Sequence, residues 1–268
     1  MSKNALFLSF FVVFMLLSAP LAAYADSNPS FVDTSSLADG IIRLDYPLQT
    51  GQAGIVRISK GNVKYDYPFE QGANYPLQMG NGDYTVIVGA AIGGNKYKVV
   101  AQQTVSLNMQ NEYAVFLQSI PIIDWTPTTK AVLKAKRLTA NLKSDKDKVA
   151  AIYTYITKNY KYDLKKAQTV EGNYVPNLDK IYASYRGICY DYAALFAAMA
   201  RSQGIPTKLV MGYEAHNPAI YHAWNQVYLK DLKKWVTIDT TYDSALIQSG
   251  QAAAMYKNES SYKSTKFY

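Results

Sequence analysis

The run CYDYAALFAAMARSQ, residues 189–203, offers a helix almost no polar face. Ala193, Leu195, Phe196, Met199 and Ala200 fall on all sides at 100° per residue, so such a helix cannot lie on a surface with one side in water. It has to be central, with other elements wrapped around it. Gly204 stands where a helix C-cap belongs and Pro206 follows two residues later, which predicts a helix from about Cys189 to Gln203. The segments that come next, TKLVMGY, AIYHAWNQVYL and KWVTIDT, are rich in β-branched and aromatic residues and read as strands. A buried helix against consecutive strands places this half of the chain in the α+β class.

The rest of the chain divides around Ser119–Lys130, where Pro121 and Pro127 interrupt the pattern. Before it, GIIRLDYPL, AGIVRISK, NVKYDYPF, NYPLQM, GDYTVIVGAAI, KYKVVAQQTVSL and EYAVFLQ are short strand-like runs. They are separated by Gly51, Gly61, Asn81-Gly82 and Gly93-Gly94-Asn95. That spacing predicts an antiparallel, sandwich-like β domain. Nothing in it carries chemistry, and it reads as a structural module. After the boundary, Ser144 with Asp147 three residues on resembles a capping box, and Val149, Ile152, Tyr153 and Ile156 recur at helical spacing. Residues 162–182 are polar and read as loop. The expected organisation is a leader at 1–25, a β-sandwich-like accessory domain at 26–120 and an α+β domain at 121–268.

The leader is read from Lys3, the apolar run Ala5–Leu17 and the small-residue motif Ala23-Tyr24-Ala25. The run is too short for an ordinary membrane span, so cleavage after Ala25 and secretion are expected, with an uncleaved anchor as the alternative. This makes the cysteine count informative. The chain has one, Cys189. A secreted protein usually pairs its cysteines or has none, so a lone thiol is either buried or in use. One cysteine and two histidines, His216 and His222, are too few soft ligands for zinc. No nucleotide loop or calcium-type carboxylate cluster appears, and no cofactor is expected. Net charge is −2 from Asp26 to Ile120 and +9 from Pro121 onward. Scattered lysines without recognition motifs read as a solvated surface, not a nucleic-acid site, although anionic cell-wall polymers would suit it.

A carbonyl is attacked by a thiolate, and a helix N-terminus favours that charge. Cys189 has that position; taken alone, a small buried hydrophobe is the competing reading. His222 and Asp239 change the balance. If Lys230–Lys233 form a hairpin loop, Tyr228 faces Trp235, and His222 faces Thr241. Asp239 is then the diagonal neighbour of His222, about 7 Å away between Cβ atoms. The spacing thus predicts a carboxylate orienting an imidazole that can activate Cys189, and a one-residue slip in register would break it. His216, beside Asn217-Pro218, reads as a loop histidine at the surface or rim. Asp191 is an unfavourable neighbour for a thiolate and is expected to point away.

The blocks YRGICYDYAALFAAMARSQGIPTKLVMGY, YHAWNQVYL and WVTIDTTYD resemble the core of the transglutaminase-like superfamily over roughly residues 130–245. The resemblance implies a papain-like core with Cys189 as nucleophile, His222 as general base and acid, and Asp239 as orienter. Trp224 would pack beside them, with Thr241 and Asp243 at the structural end of the motif. Tyr242 stands where the family usually has Trp. The oxyanion would be held by the Cys189 amide and a side chain, Tyr174 or Tyr185. The implied reaction is thiol acyl transfer on a peptide or protein amide through a thioester. Water would resolve it in a peptidase or amidase and a lysine amine in a transglutaminase. A silent binding or scaffold role at the cell envelope is the other class. The expected partner is a peptide or protein substrate, with cell-wall association possible. No nucleic acid is expected, nor stable membrane insertion after leader removal.

Overall fold

The computed structural model describes the backbone of residues 15–17 and, with side chains, residues 30–94 and 96–268. The expected cleavage site at Ala25 lies outside them. The described residues divide into two compact units, one ending at Ile122 and the other spanning Ile123–Tyr268. No helix among the described residues is long and apolar enough to cross a membrane.

The first unit is all-β apart from short 3-10 turns. Its strands are β1 (Met15–Leu17), β2 (Val32–Asp33), β3 (Ile41–Leu44), β4 (Gly54–Lys60), β5 (Val63–Pro68), β6 (Asn74–Pro76), β7 (Gly82–Gly93) and β8 (Lys96–Leu107). They form a sheet in the order β1-β8-β7-β4-β5, antiparallel except at β1, and a smaller antiparallel sheet, β2-β3-β6. The β4–β5 hairpin turns at Gly61, whose φ of 57° is the conformation a two-residue turn reserves for glycine at its first position. Alternation along β5 buries Tyr65 and Tyr67, and Tyr67 meets Tyr75 of β6 edge-on with ring centroids 6.0 Å apart, which joins the two sheets. EYAVFLQ, expected as a strand, instead holds a 3-10 turn at Ala114–Leu117. Asn111 accepts from the Tyr113 amide through its side chain and from the Ala114 amide through its carbonyl, and this local turn chemistry wins.

The second unit is α+β. Its elements are α1 (Lys130–Thr139), α2 (Asp145–Asn159), β9 (Lys161–Tyr162), α3 (Leu164–Thr169), α4 (Leu178–Ser184), β10 (Arg186–Gly187), α5 (Cys189–Arg201), β11 (Thr207–Glu214), β12 (Asn217–Leu229), β13 (Lys234–Ile238), α6 (Thr240–Gln248) and β14 (Tyr262–Phe267). The apolar helix predicted from sequence is α5, buried from Asp191 through Arg201. Removing Leu195, Phe196 and Met199 from water stabilises the fold by about 1.5–3 kcal/mol each. The helix packs on an antiparallel sheet of order β13-β12-β11-β14. Asn225 of β12 ties the two together: its side-chain amide donates to the carbonyls of Ala193 in α5, at 3.0 Å, and Lys208 in β11, at 3.2 Å.

Three parts of this unit differ from the sequence reading. The polar stretch 162–182 contains α3 and the start of α4, capped by Asp163 and Asn177, whose side chains accept from the Lys166 and Lys180 amides. The β12–β13 register is the expected one, with Tyr228 opposite Trp235, but pairing ends at Asn225 opposite Ile238. His222 therefore does not face Thr241, because Asp239 caps α6 through a 3.0 Å bond from the Tyr242 amide. The C-terminal tail, to which the sequence pattern assigns no element, supplies β14 along the outer edge of β11. Gly212 makes that approach possible: a Cβ there would stand 2.1 Å from the Lys263 carbonyl and 2.9 Å from the Trp224 ring.

Candidate active site

Cys189 is the first residue of α5, free and half-buried. The chain enters the helix through Gly187, where a Cβ would lie 2.6 Å from that of Asp191. Asp191 is fully buried, and its carboxylate is taken up by three donors. It accepts from the Ile188 amide at 2.9 Å, from Lys166 Nζ at 2.5 Å and from the Tyr174 hydroxyl at 2.5 Å. The carboxylate thus fixes the helix start and has its charge met by Lys166, while the amides of Cys189 and Tyr190 remain outside the intrahelical ladder.

The sheet brings His222 to this helix end. His222 Nε2 is 2.7 Å from Asp239 Oδ2, and the Cys189 thiol interacts with the same ring. With Nε2 committed to the carboxylate, Nδ1 is the nitrogen left for the thiol. Asp239 is fully buried; besides His222 it accepts from the Tyr242 amide and, at 3.1 Å, from the Tyr262 hydroxyl on β14. Trp224 covers the imidazole, its ring nearly parallel at 6.1 Å, and packs on Tyr262 at 5.0 Å. Asp243 is buried, paired with Lys257 and bonded by the Tyr153 hydroxyl at 2.9 Å. The structure therefore gathers Cys189, His222 and Asp239 in one place.

It also adds a residue that sequence reasoning passed over. Glu214, buried at the end of β11, has one oxygen 3.0 Å from His216 Nε2 and the other 3.5 Å from His222 Nε2. His216 is 59% exposed and lies at the rim, as expected of it, facing Tyr242. Glu214, His222 and Asp239 each place an oxygen or nitrogen within 4.8 Å of the others. An acid on the inward parity of β11, in line with buried Val210 and Gly212, was the available sequence signal.

Of the two tyrosines considered for the oxyanion, Tyr174 has its hydroxyl bonded to Asp191, and Tyr185, in the left-handed region at φ 53°, sets its ring at a tilt to Tyr160 and Tyr182. Tyr162 is a third candidate. It pairs with Gly187, two residues before Cys189, and its hydroxyl makes no hydrogen bond among the described residues. Burial and then the nearby Cys189 push its phenol upward, so it stays a protonated donor.

The electrostatics have a definite sign. Burial alone would push the His222 imidazole down, but Asp239 and then Cys189 outweigh it and hold it well above the usual 6.5. Asp239 is pushed up by burial, yet the His222 charge and hydrogen bond, the Tyr242 amide and Glu214 keep it below 3.8. The raised group contributes stability that is complete below 6.5 and lost as pH rises through its folded value. The lowered group contributes stability that is complete above 3.8 and lost as pH falls through its folded value. The protein should therefore resist urea best between those two ordinary values. In unfolding curves measured across pH, the advantage of wild type over His222→Ala should shrink on the alkaline side; an advantage constant with pH would contradict the assignment.

Residues 134–240 match the family model described as the transglutaminase-like superfamily. The matched residues all lie within the second unit. Among curated proteins the chain is similar to the mouse (Mus musculus) kyphoscoliosis peptidase, 30% identical over 115 residues, covering 40% of this chain and 17% of that protein. It is also similar to the uncharacterized protein YebA of Bacillus subtilis (strain 168), 26% identical over 199 residues, covering 68% of this chain and 26% of that protein. The chain thus spans about a quarter or less of the length of these relatives. Among solved structures it is similar to the periplasmic domain of TgpA from Pseudomonas aeruginosa, with a TM-score of 0.40 at 16% identity over 82% of this chain and 96% of that one.

Proposed function

We propose that this protein is a secreted thiol acyl-transfer enzyme that hydrolyses peptide or protein amides at the cell envelope. The observation that carries the reading is a half-buried thiol at the N-terminus of a buried helix, against an imidazole whose far nitrogen is held 2.7 Å from a buried carboxylate. Cys189 Sγ attacks the amide carbonyl as the thiolate, with its proton on His222. The tetrahedral oxyanion is met by the Cys189 amide and the Tyr162 hydroxyl. The C–N bond breaks as His222 gives that proton to the leaving nitrogen, and a thioester remains on Cys189. Water, deprotonated by His222, then releases the acid and restores the thiol. The apolar leader with its small-residue cleavage motif supports export.

Incubating the protein from residue 26 onward with envelope peptides and a lysine analogue, and reading products by mass spectrometry, tests this proposal. Cleaved or deamidated products support hydrolysis; isopeptide adducts would replace it with cross-linking. Absence of any product, together with no His222-dependent labelling of Cys189 by a thiol-reactive amide analogue, would leave a scaffold. In the same assay Tyr162→Phe should lower kcat by about 100-fold or more at little change in KM, the size of a lost oxyanion donor. An unchanged kcat would remove Tyr162 from that role.

A further inference from the structure

We propose that Glu214 is a positioning residue for the His222–Asp239 couple: it works as a neutral carboxylic acid whose proton bridges to Asp239 and holds that carboxylate against the imidazole. The inference rests on the thiol-enzyme reading and extends it to a fourth residue.

Asp239 already supplies the counter-charge to His222. A second buried carboxylate beside it has to share that imidazolium, with only the exposed ring of His216 on its other oxygen, and two such groups sharing one site do not both ionise. Geometry decides which holds the proton. Asp239 accepts from His222, the Tyr242 amide and the Tyr262 hydroxyl, all bonds that favour the charged form. Glu214 faces His222 and His216 from β12 and the loop before it, Asp239 from the cap of α6, and Tyr262 across the β11–β14 ladder. One Glu214 oxygen can accept from His216 at 3.0 Å. The other, Oε1, is buried and makes no hydrogen bond as an acceptor. A buried oxygen left unpaired is costly, and protonation turns it into a donor toward the Asp239 carboxylate. Burial acts first in pushing the Glu214 carboxyl upward; the His222 charge opposes it, the Asp239 charge and hydrogen bond add to it, and the net direction is upward.

The fold puts this acid in place through an irregularity. Register along β11 and β12 slips between Tyr213 and Glu214, so that Glu214 pairs with Asn217 while Tyr213 still faces Tyr221. The bulge lets His222, paired with Gly212, and Glu214 two residues further on converge on Asp239.

The test compares wild type with Glu214→Gln and Glu214→Ala. Glutamine carries a donor in place of the acid proton and no charge, so kcat should stay within about threefold of wild type at neutral pH. Alanine removes the donor and should cost about 10-fold or more in kcat, the size of a hydrogen bond to a charged group, with KM little changed. Infrared spectra of protein carrying 13C-labelled glutamate should show a neutral-acid carbonyl band at neutral pH that vanishes in Glu214→Gln. That band requires no activity, so it decides the protonation of Glu214 even where Glu214→Ala fails to fold. It also separates failure of this inference from failure of the enzyme reading, which is read from wild-type labelling of Cys189. Glutamine as damaging as alanine, or absence of the band, would overturn the proposal.

Discussion

Serine in place of Cys189 is expected to reduce turnover by about 1,000-fold or more while leaving the fold intact. The sulfur sits at the first position of α5, half-buried, and the residues that make the helix core begin two positions later at Asp191. A hydroxyl of similar size fills that place, so the unfolding free energy should change by no more than about 1 kcal/mol. Chemistry is a different matter. The site is electrostatically built for an imidazolium, with His222 held well above 6.5 by Asp239 and Cys189. A thiol can hand its proton to such a ring and remain as the attacking anion; an alcohol, far less acidic, cannot. Measuring amide hydrolysis and urea unfolding on the same preparation checks both halves. Turnover within tenfold of wild type would end the thiol mechanism, and a collapsed fold would recast Cys189 as a packing residue.

Asp239→Asn should lower kcat by about 100- to 10,000-fold, again with modest loss of stability. Asparagine caps a helix as well as aspartate does, so the 3.0 Å bond from the Tyr242 amide and the start of α6 should survive. What disappears is the buried charge opposite His222 Nε2. The imidazole then loses its largest raising influence and moves down under its own burial. The rate of Cys189 alkylation should follow it, with an acid-side rise displaced to higher pH. Asp239→Ala removes the cap as well and should cost about 1 kcal/mol more in stability without much further loss of rate. Equal stability of the Asn and Ala variants would remove the capping role, and wild-type turnover in Asp239→Asn would remove the role toward His222.

The parts of this arrangement legible in the chain are those that local chemistry decides. The all-round apolar pattern of 189–203 could only be a central helix, and α5 is one. The four-residue loop Lys230–Lys233 set the β12–β13 register, and Tyr228 does face Trp235. The small-residue approach of Gly187 and the Asn225 clamp belong to the same quoted blocks, although their reasons emerge only in three dimensions. The diagonal His–Asp geometry reached the right pair by an incomplete route. Asp239 meets His222 from a helix cap, because its side chain prefers the free Tyr242 amide to another rung of ladder. The helices α3 and α4 were missed because six or seven residues are too few for a readable period.

Sequence by itself determined the class of this core, the element that must lie at its centre and the three residues brought together there. Those follow from burial and from backbone propensity, which act over a few turns of chain. Tertiary structure alone decided what surrounds them. Glu214 reaches Asp239 through a bulge, Tyr262 through a strand that returns to the edge of β11, and Tyr162 through a two-residue bridge beside Gly187. Each is a meeting of segments far apart in the chain, set by which hydrogen-bonding edge is left open once the helix is covered, and no local pattern encodes such a choice.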